Sequence, residues 1–533
     1  MFWLLTINST YVYYLKPNVF LGILSELPIY FWIALIFVVF SFKKTFEIES
    51  EKLLILNTMV LILILFVTFY LIEPNARHGL SYRFVSIAKG ILQDKNLVTE
   101  SYVKFQPYIH YSGFPIFAAV ANTVLGISLE TTIKYSVPSL MPLIAFYVIV
   151  FNRLILPNDM KGSVLSTAFF FSIFWFLPTY FGPQFLSYVL FLLFLNLFTK
   201  NYFQMKDKSK LIPLLFLIFI SIQFVHPLMG MEILSIVFVS MIISFVLKKD
   251  KGLNPKFLLG LGTIYIVFTI YIATVIFETK LLRILSSFYD FDIFWTSLTL
   301  RRESIAFSNL TTSYGIVFLA RFFFILSGYF LSFLCLLKLI RLRDSGERDS
   351  YVVPTSILFA SILLFPLGYG GEIFQRIYFF STISFAFFIG VFLRHSRFSF
   401  VILTFFILLH PIAYVGDESF RIMPDSTLEL GKYFVKNTLS ETEYLIEEPS
   451  IVYFYDPHRM MKGLYRINIW NYQGFPSKGC DYVLRTIPDE ALFFYYLGFS
   501  PILENLSYFD ENFDKLYDNG KNEIFMRAKP YLR

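Results

Sequence analysis

Charge is what this sequence has least of: only 16% of its 533 residues are Asp, Glu, Lys or Arg, against about a quarter in a soluble domain. With 56% hydrophobic residues, 20% aromatics and a mean hydropathy of +0.63, the chain cannot cover a water-facing surface with polar groups. Lipid must be its main solvent. Cysteine is nearly absent as well. Cys335 lies in an apolar run and Cys480 in the polar tail, which excludes a disulfide framework and the Cys/His spacings of zinc sites. The opening MFWLLTINSTYVYYLK has no basic n-region of a cleavable signal peptide, so these residues are expected to stay in the mature chain. Internal repeats and low-complexity stretches are also missing.

What is present is a series of long apolar runs. An apolar helix needs about 20 residues to cross roughly 30 Å of hydrocarbon. Expected spans are 20–42, 53–72, 133–151, 163–178, 181–199, 211–226, 228–247, 257–278, 314–340, 352–368, 373–393 and 399–415. The expected fold is therefore an all-α polytopic membrane protein of about 12 transmembrane helices. The formal charge of +7 is read as loop charge that holds the topology, not as a nucleic-acid interface. Segments 43–52, 152–162, 200–210, 248–256, 338–350 and 394–397 together hold 19 Lys and Arg. These loops are expected in the cytoplasm, leaving both termini outside.

That orientation constrains the first outer loop. Span 53–72 leaves the cytoplasm and 152–162 is back inside, so one crossing must lie between them, and both 111–127 and 133–151 are apolar enough to compete. The former is shorter and holds Pro115, Asn122 and Thr123, so it is expected to lie at the outer interface or dip and return. The loop 73–132 is then large and membrane-hugging. Within it Leu80, Phe84, Ile87 and Ile91 recur at helical spacing opposite Arg83, Ser86 and Lys89, the pattern of a helix lying on the bilayer. A second outer loop, 279–313, follows later. Hydropathy falls after 415, and 416–533 is expected to form a small extracytoplasmic α/β domain. Its strand-like runs are Ile451–Tyr455, Asp481–Thr486 and Glu523–Arg527, and its helical ones Thr427–Lys436 and Glu490–Leu497.

Several residues could carry chemistry. Glu73 directly follows a long apolar run, where a carboxylate can be partly desolvated yet meet a soluble acceptor, as a general base requires. A capping acid ahead of Pro74 is the plainer reading. Arg77 and Arg83 lie six apart, off one helical face, and Arg301, Arg302 and Arg376 are also expected at the outer surface. Arginine's planar fork suits phosphate, although lipid headgroups satisfy it equally. His226-Pro227 marks a tight outer turn. Glu232, just inside the next span, needs a polar partner, for which His226 is a candidate. Gly368-Tyr369-Gly370-Gly371-Glu372 links two spans, with Glu372 and Arg376 placed to pair at i, i+4. Asp290 and Asp292 alone do not define a divalent metal site.

Four stretches share a pattern: Glu73-Pro74-Asn75-Ala76-Arg77-His78; Tyr108-Ile109-His110-Tyr111-Ser112-Gly113-Phe114-Pro115, ending in Leu125-Gly126-Ile127-Ser128; Phe224-Val225-His226-Pro227-Leu228; and Gly370-Gly371-Glu372-Ile373-Phe374-Gln375-Arg376. On these the chain resembles the GT-C superfamily of membrane glycosyltransferases, above all the archaeal branch with a short C-terminal outer domain. The resemblance implies Glu73 as catalytic base, a polyprenyl-phosphate-linked sugar as donor, and interfacial helices in the first outer loop. It implies Arg77, Arg83, Arg302 or Arg376 at the phosphate leaving group, with His78, His110, His226, Arg301 and Glu372 completing the substrate site. The acceptor is a glycan, lipid or protein, and no separate cofactor is expected. Two departures refine the expectation. Pro178-Thr179-Tyr180-Phe181-Gly182-Pro183-Gln184 has no carboxylate where many members have a second acidic motif, which implies metal-independent chemistry. Trp470-Asn471-Tyr472-Gln473-Gly474 only echoes the Trp-Trp-Asp-Tyr-Gly signature of oligosaccharyltransferases, which argues against protein N-glycosylation. Rival readings are a secondary transporter, a polysaccharide polymerase or ligase, and a scaffold that has lost activity; the absence of repeated halves weighs against the transporter.

Overall fold

The computed structural model describes residues 1–9, 21–73, 75–95, 112–176, 180–203, 208–247, 254–273, 312–340, 350–363, 373–416, 423–438, 444–445, 455, 464–465, 482–485, 513–518 and 522–527. A short α1 (Phe2–Ser9) precedes α2 (Ile29–Ile48) and α3 (Glu51–Ile72). The segment after α3 supplies α4 (Gly79–Asp94) and α5 (Gly113–Leu125). Then follow α6 (Leu129–Ile155), α7 (Met160–Ile173), α8 (Pro183–Phe203), α9 (Lys208–Val225), α10 (Pro227–Val246) and α11 (Pro255–Tyr271). The bundle ends with α12 (Thr312–Ile340), α13 (Val352–Leu363), α14 (Ile373–Leu393) and α15 (Ser399–Val415).

Every expected span falls on one of these helices. Seven described helices are long and apolar enough to cross a membrane, and six shorter ones are also apolar. The chain is an α-helical polytopic membrane protein. Its centre is α14, which runs along α7 and also touches α12 and α13. Ser and Gly make that approach close: a Cβ on Gly390 would meet the Ser166 backbone N at 2.4 Å. Aromatic rings fill the remaining space, as in the T-shaped pair Phe169–Phe406 and the stacked pair Phe170–Phe174.

Some boundaries differ from expectation for local reasons. The first span begins at Ile29, not near residue 20, because Leu21 is left-handed (φ 54°) and Pro28 is extended (φ −68°, ψ 157°). The span expected over 163–178 is helical over Met160–Ile173, and Phe174 leaves the helix at ψ 63°. The stretch 111–127 is the 13-residue α5, roughly 20 Å long at 1.5 Å per residue and too short to cross by itself. Helix α4 forms as expected but does not lie bare on the bilayer. Ser81, Tyr82, Phe84, Val85, Ser86, Ile87 and Ala88 are all buried, because small residues on its polar side let neighbouring chain close over it.

Ion pairs locate the two ends of the bundle. Arg153 Nε lies 2.8 Å from Glu51, Lys161 Nζ lies 3.5 Å from Glu49, and Arg394 pairs with Asp159. Loops 43–52, 152–162 and 394–397 therefore share one end. Glu51 and Ile72 bound the 22 residues of α3, so the residues after Ile72 emerge about 33 Å away, at the opposite end.

After the bundle come α16 (Asp425–Asn437), β1 (Tyr444–Leu445), β2 (Leu464–Tyr465), β3 (Tyr482–Arg485), β4 (Phe513–Asp518) and β5 (Glu523–Arg527). The sheet order is β2-β1-β3-β5-β4. Strand β1 is parallel to β2 and β3, and β5 is antiparallel to β3 and β4. This is the expected α/β unit, with β3, β5 and α16 on the expected runs. The runs expected over 451–454 and 490–497, and most of loop 279–313, lie outside the described residues.

Candidate functional site

Helix α3 delivers Glu73 to its position. A π-turn over Leu63–Val67 interrupts α3, and the carbonyl of Leu63 accepts from Thr68 Oγ1 (2.9 Å) and Trp3 Nε1 (3.1 Å). The turn carries Phe66, whose ring meets His410 at 5.1 Å and Tyr414 at 5.4 Å. Glu73 closes the helix: its N–H still bonds Phe69 O, while its ψ of 134° sends the chain away. Its side chain is 1% exposed.

Arg77 accounts for that burial. Its Nε lies 3.1 Å from Glu73 Oε1, and it is likewise 1% exposed. The guanidinium stacks over Phe69, Tyr70 and Tyr414, with centroids at 5.6, 5.4 and 4.9 Å. Its Nη1 donates to the Tyr414 hydroxyl at 2.9 Å. A buried charge needs this degree of pairing and hydrogen bonding. The resemblance offers Arg77, Arg83, Arg302 or Arg376 for a phosphate; in the structure Arg77 grips the candidate base.

His78 adopts φ 68°, a left-handed conformation costly for a residue with a side chain. Its Nδ1 accepts from the Leu80 N–H at 3.2 Å, capping α4, and its ring lies 5.0 Å from that of Tyr180. Arg83 sits half-buried one turn further along.

A second polar group surrounds the start of α10. His226 occupies the N-cap position of that helix without a side-chain capping bond, is 6% exposed, and among the described residues its Nδ1 meets no hydrogen-bond partner. Burial, and then the charge of Arg376, pull its imidazole from 6.5 down to about 3. Gln223 is fully buried nearby, pressed on Gly230, and neither amide atom meets a hydrogen-bond partner among the described residues. Arg376 stands in the first turn of α14, half-buried. Glu232 does not pair with His226: its Oε1 accepts from Ser361 on α13 at 2.9 Å. His110, Arg301, Arg302 and Glu372, with Asp290 and Asp292, lie outside the described residues.

Contacts through α7, α12 and α14 join the two groups. Tyr378, half a turn beyond Arg376, donates to Ile173 O at 2.6 Å and stacks on Trp175 at 5.6 Å. Arg321 of α12 stacks over Trp175 at 4.9 Å and donates to Ala413 O at 2.9 Å. Ala413 neighbours Tyr414, which holds Arg77. Both groups therefore lie at the end opposite the ion-paired loops. Arg321 was missed in the sequence, although a lone arginine inside an apolar run is itself a signal. Tyr414, Gln223 and Trp175 carry no sequence signal of this kind.

The site thus belongs to a polytopic membrane protein with a buried carboxylate–guanidinium pair at one end of its bundle. No protein-family model matches the chain, and a search of curated proteins finds no match. Among solved structures, the chain is similar to the oligosaccharyltransferase of Archaeoglobus fulgidus, crystallised with a tethered acceptor peptide containing the NVT sequon. The TM-score is 0.47 and the identity 10%, over 89% of this chain and 74% of that one.

Proposed function

We propose that this protein is a membrane glycosyltransferase that moves a sugar from a polyprenyl-phosphate-linked donor to an acceptor hydroxyl on the extracytoplasmic face. The observation that carries the reading is the Glu73–Arg77 pair, held at the end of the bundle opposite the basic loops. In this reading Glu73 takes the acceptor proton, the acceptor oxygen attacks the anomeric carbon from the face opposite the phosphate, and the carbon–oxygen bond to phosphate breaks. The electron pair leaves on the phosphate, so the anomeric configuration inverts.

The phosphate charge that develops needs donors in a dry setting. The N-terminus of the 20-residue α10, His226, Gln223 and Arg376 offer them at the same end. The pairing of Glu73 with arginine, and the lack of carboxylates over 178–184, support chemistry without a metal. The acceptor is a glycan, lipid or protein of the cell envelope.

The test is donor turnover. Purified protein incubated with a polyprenyl-phosphate-linked hexose and a crude envelope acceptor fraction should release polyprenyl phosphate and label the acceptor. Movement of intact donor or free sugar across vesicles, without release of polyprenyl phosphate, would favour a transporter instead.

A further inference from the structure

Glu73 is followed two residues later by Asn75, between the carboxylate and its arginine. Asn75 Nδ2 donates two hydrogen bonds, each 2.8 Å, to Met423 O and Asp425 Oδ1. Met423 is buried, and Asp425 opens α16. Helix α16 is in turn fixed to the sheet: Thr427 Oγ1 bonds Asn522 Oδ1 at 3.1 Å, with both side chains buried. Two further ties run in parallel. Arg77 bonds Tyr414 in the last turn of α15, and Lys89 of α4 donates to Tyr455 O at 3.4 Å while facing its ring at 5.6 Å. Residues 73–89 are therefore held at three points by the chain beyond residue 410.

We infer that Asn75 is a positioning residue through which the C-terminal α/β domain sets the placement of the Glu73 carboxylate. The inference rests on the proposed base role of Glu73. Its physical basis is the stiffness of the path. Asn75 lies in the turn between α3 and α4, where no helical hydrogen bonds hold the backbone, so side-chain bonds to α16 fix what the turn itself leaves free. The two acceptors, a main-chain carbonyl and a carboxylate, both demand a donor, and the Asn75 amide satisfies both at once. An error of about 1 Å in the position of a reacting group can cost roughly 100-fold in rate, so a tie this close to the base acts on kcat rather than on donor binding.

The experiment combines kinetics with amide exchange on the full chain, using release of polyprenyl phosphate from a polyprenyl-phosphate-linked hexose. Asn75→Ala should lower kcat about 10–100-fold on quantified folded protein at unchanged donor KM. Asn75→Asp should fall as far, because its carboxylate would face two acceptors. Asp425→Asn keeps an acceptor oxygen and should retain turnover, whereas Asp425→Ala should not. Amides of residues 75–82 should exchange faster in Asn75→Ala, and also in Thr427→Ala, which touches only the far end of the path. Normal kcat in Asn75→Ala, a loss that merely tracks the unfolded fraction, or unchanged exchange at 75–82 would overturn the inference. If the wild-type protein releases no polyprenyl phosphate while exchange accelerates as stated, the transferase reading fails and the mechanical tie stands.

Discussion

Arg77 Nη1 and the Tyr414 hydroxyl, 337 residues apart in sequence, are joined by a 2.9 Å hydrogen bond inside an aromatic cage. The bond ties the turn between α3 and α4 to the end of α15. Arg321 grips the adjacent carbonyl of Ala413, so two arginines meet the last turn of α15, where carbonyls lack helical partners and the helix dipole favours positive charge.

Tyr414→Phe keeps the ring but removes the acceptor for Arg77. The expected loss is about 1–3 kcal/mol, the cost of stranding a buried donor. Arg77→Ala strands the Glu73 carboxylate and should lose more, about 3–5 kcal/mol. Denaturant unfolding of both variants in one detergent checks the order. Equal stability for Arg77→Ala and wild type would show that the pair is not buried as described.

A topology prediction follows from the ends of the bundle. The ion-paired loops 43–52, 152–162 and 394–397 belong to the set of Lys/Arg-bearing loops and should face the cytoplasm. A reporter fused after Asp417 should then be active only outside the cytoplasm. Cytoplasmic activity there would invert the whole assignment, and the site with it.

Helix α5 provides a second check on the membrane layout. At 13 residues it is too short to cross, and its exposed Phe117, Val120 and Val124 form a stripe suited to lipid. With Cys480 replaced by Ser and Cys335 buried, single cysteines at Ser112 and Ser128 should both react with an impermeant outer reagent. Labelling at only one position would make α5 part of a true crossing.

His226 should leave a signature in acid. Its imidazole titrates near 3 in the folded protein against 6.5 for the free group, so the unfolded chain binds the proton first as pH falls. Stability contributed by the neutral imidazole is complete above pH 6.5 and is lost progressively from there towards pH 3. His226→Gln should flatten the stability–pH curve across that window. An unchanged slope would mean that the ring is hydrated and exposed.

Much of this architecture was legible in the sequence, for definite reasons. Apolar runs of membrane length marked the helices of the bundle, and the abrupt change after Ile72 exposed Glu73. What periodicity could not supply was closure between distant segments. Tyr414 looks like any aromatic at the end of a span, and only the folded chain brings it to Arg77. Amphipathicity in α4 identified an apolar face but not that Ser81 and Ser86 on the other side would be covered too. Glu232 announced itself as a buried charge, yet its partner Ser361 lies on a helix whose neighbourhood no local pattern encodes.

The central claim is that Glu73 is the base, and one substitution tests it most directly. Glu73→Gln preserves size and a hydrogen-bond acceptor for Arg77 but cannot take the acceptor proton. Turnover of a polyprenyl-phosphate-linked sugar per folded molecule should fall by about 10²–10⁴-fold, while binding of the donor, assigned to the α10 end and Arg376, stays close to wild type. Near-normal turnover per folded molecule in Glu73→Gln would contradict the account and reduce the Glu73–Arg77 pair to a structural clasp.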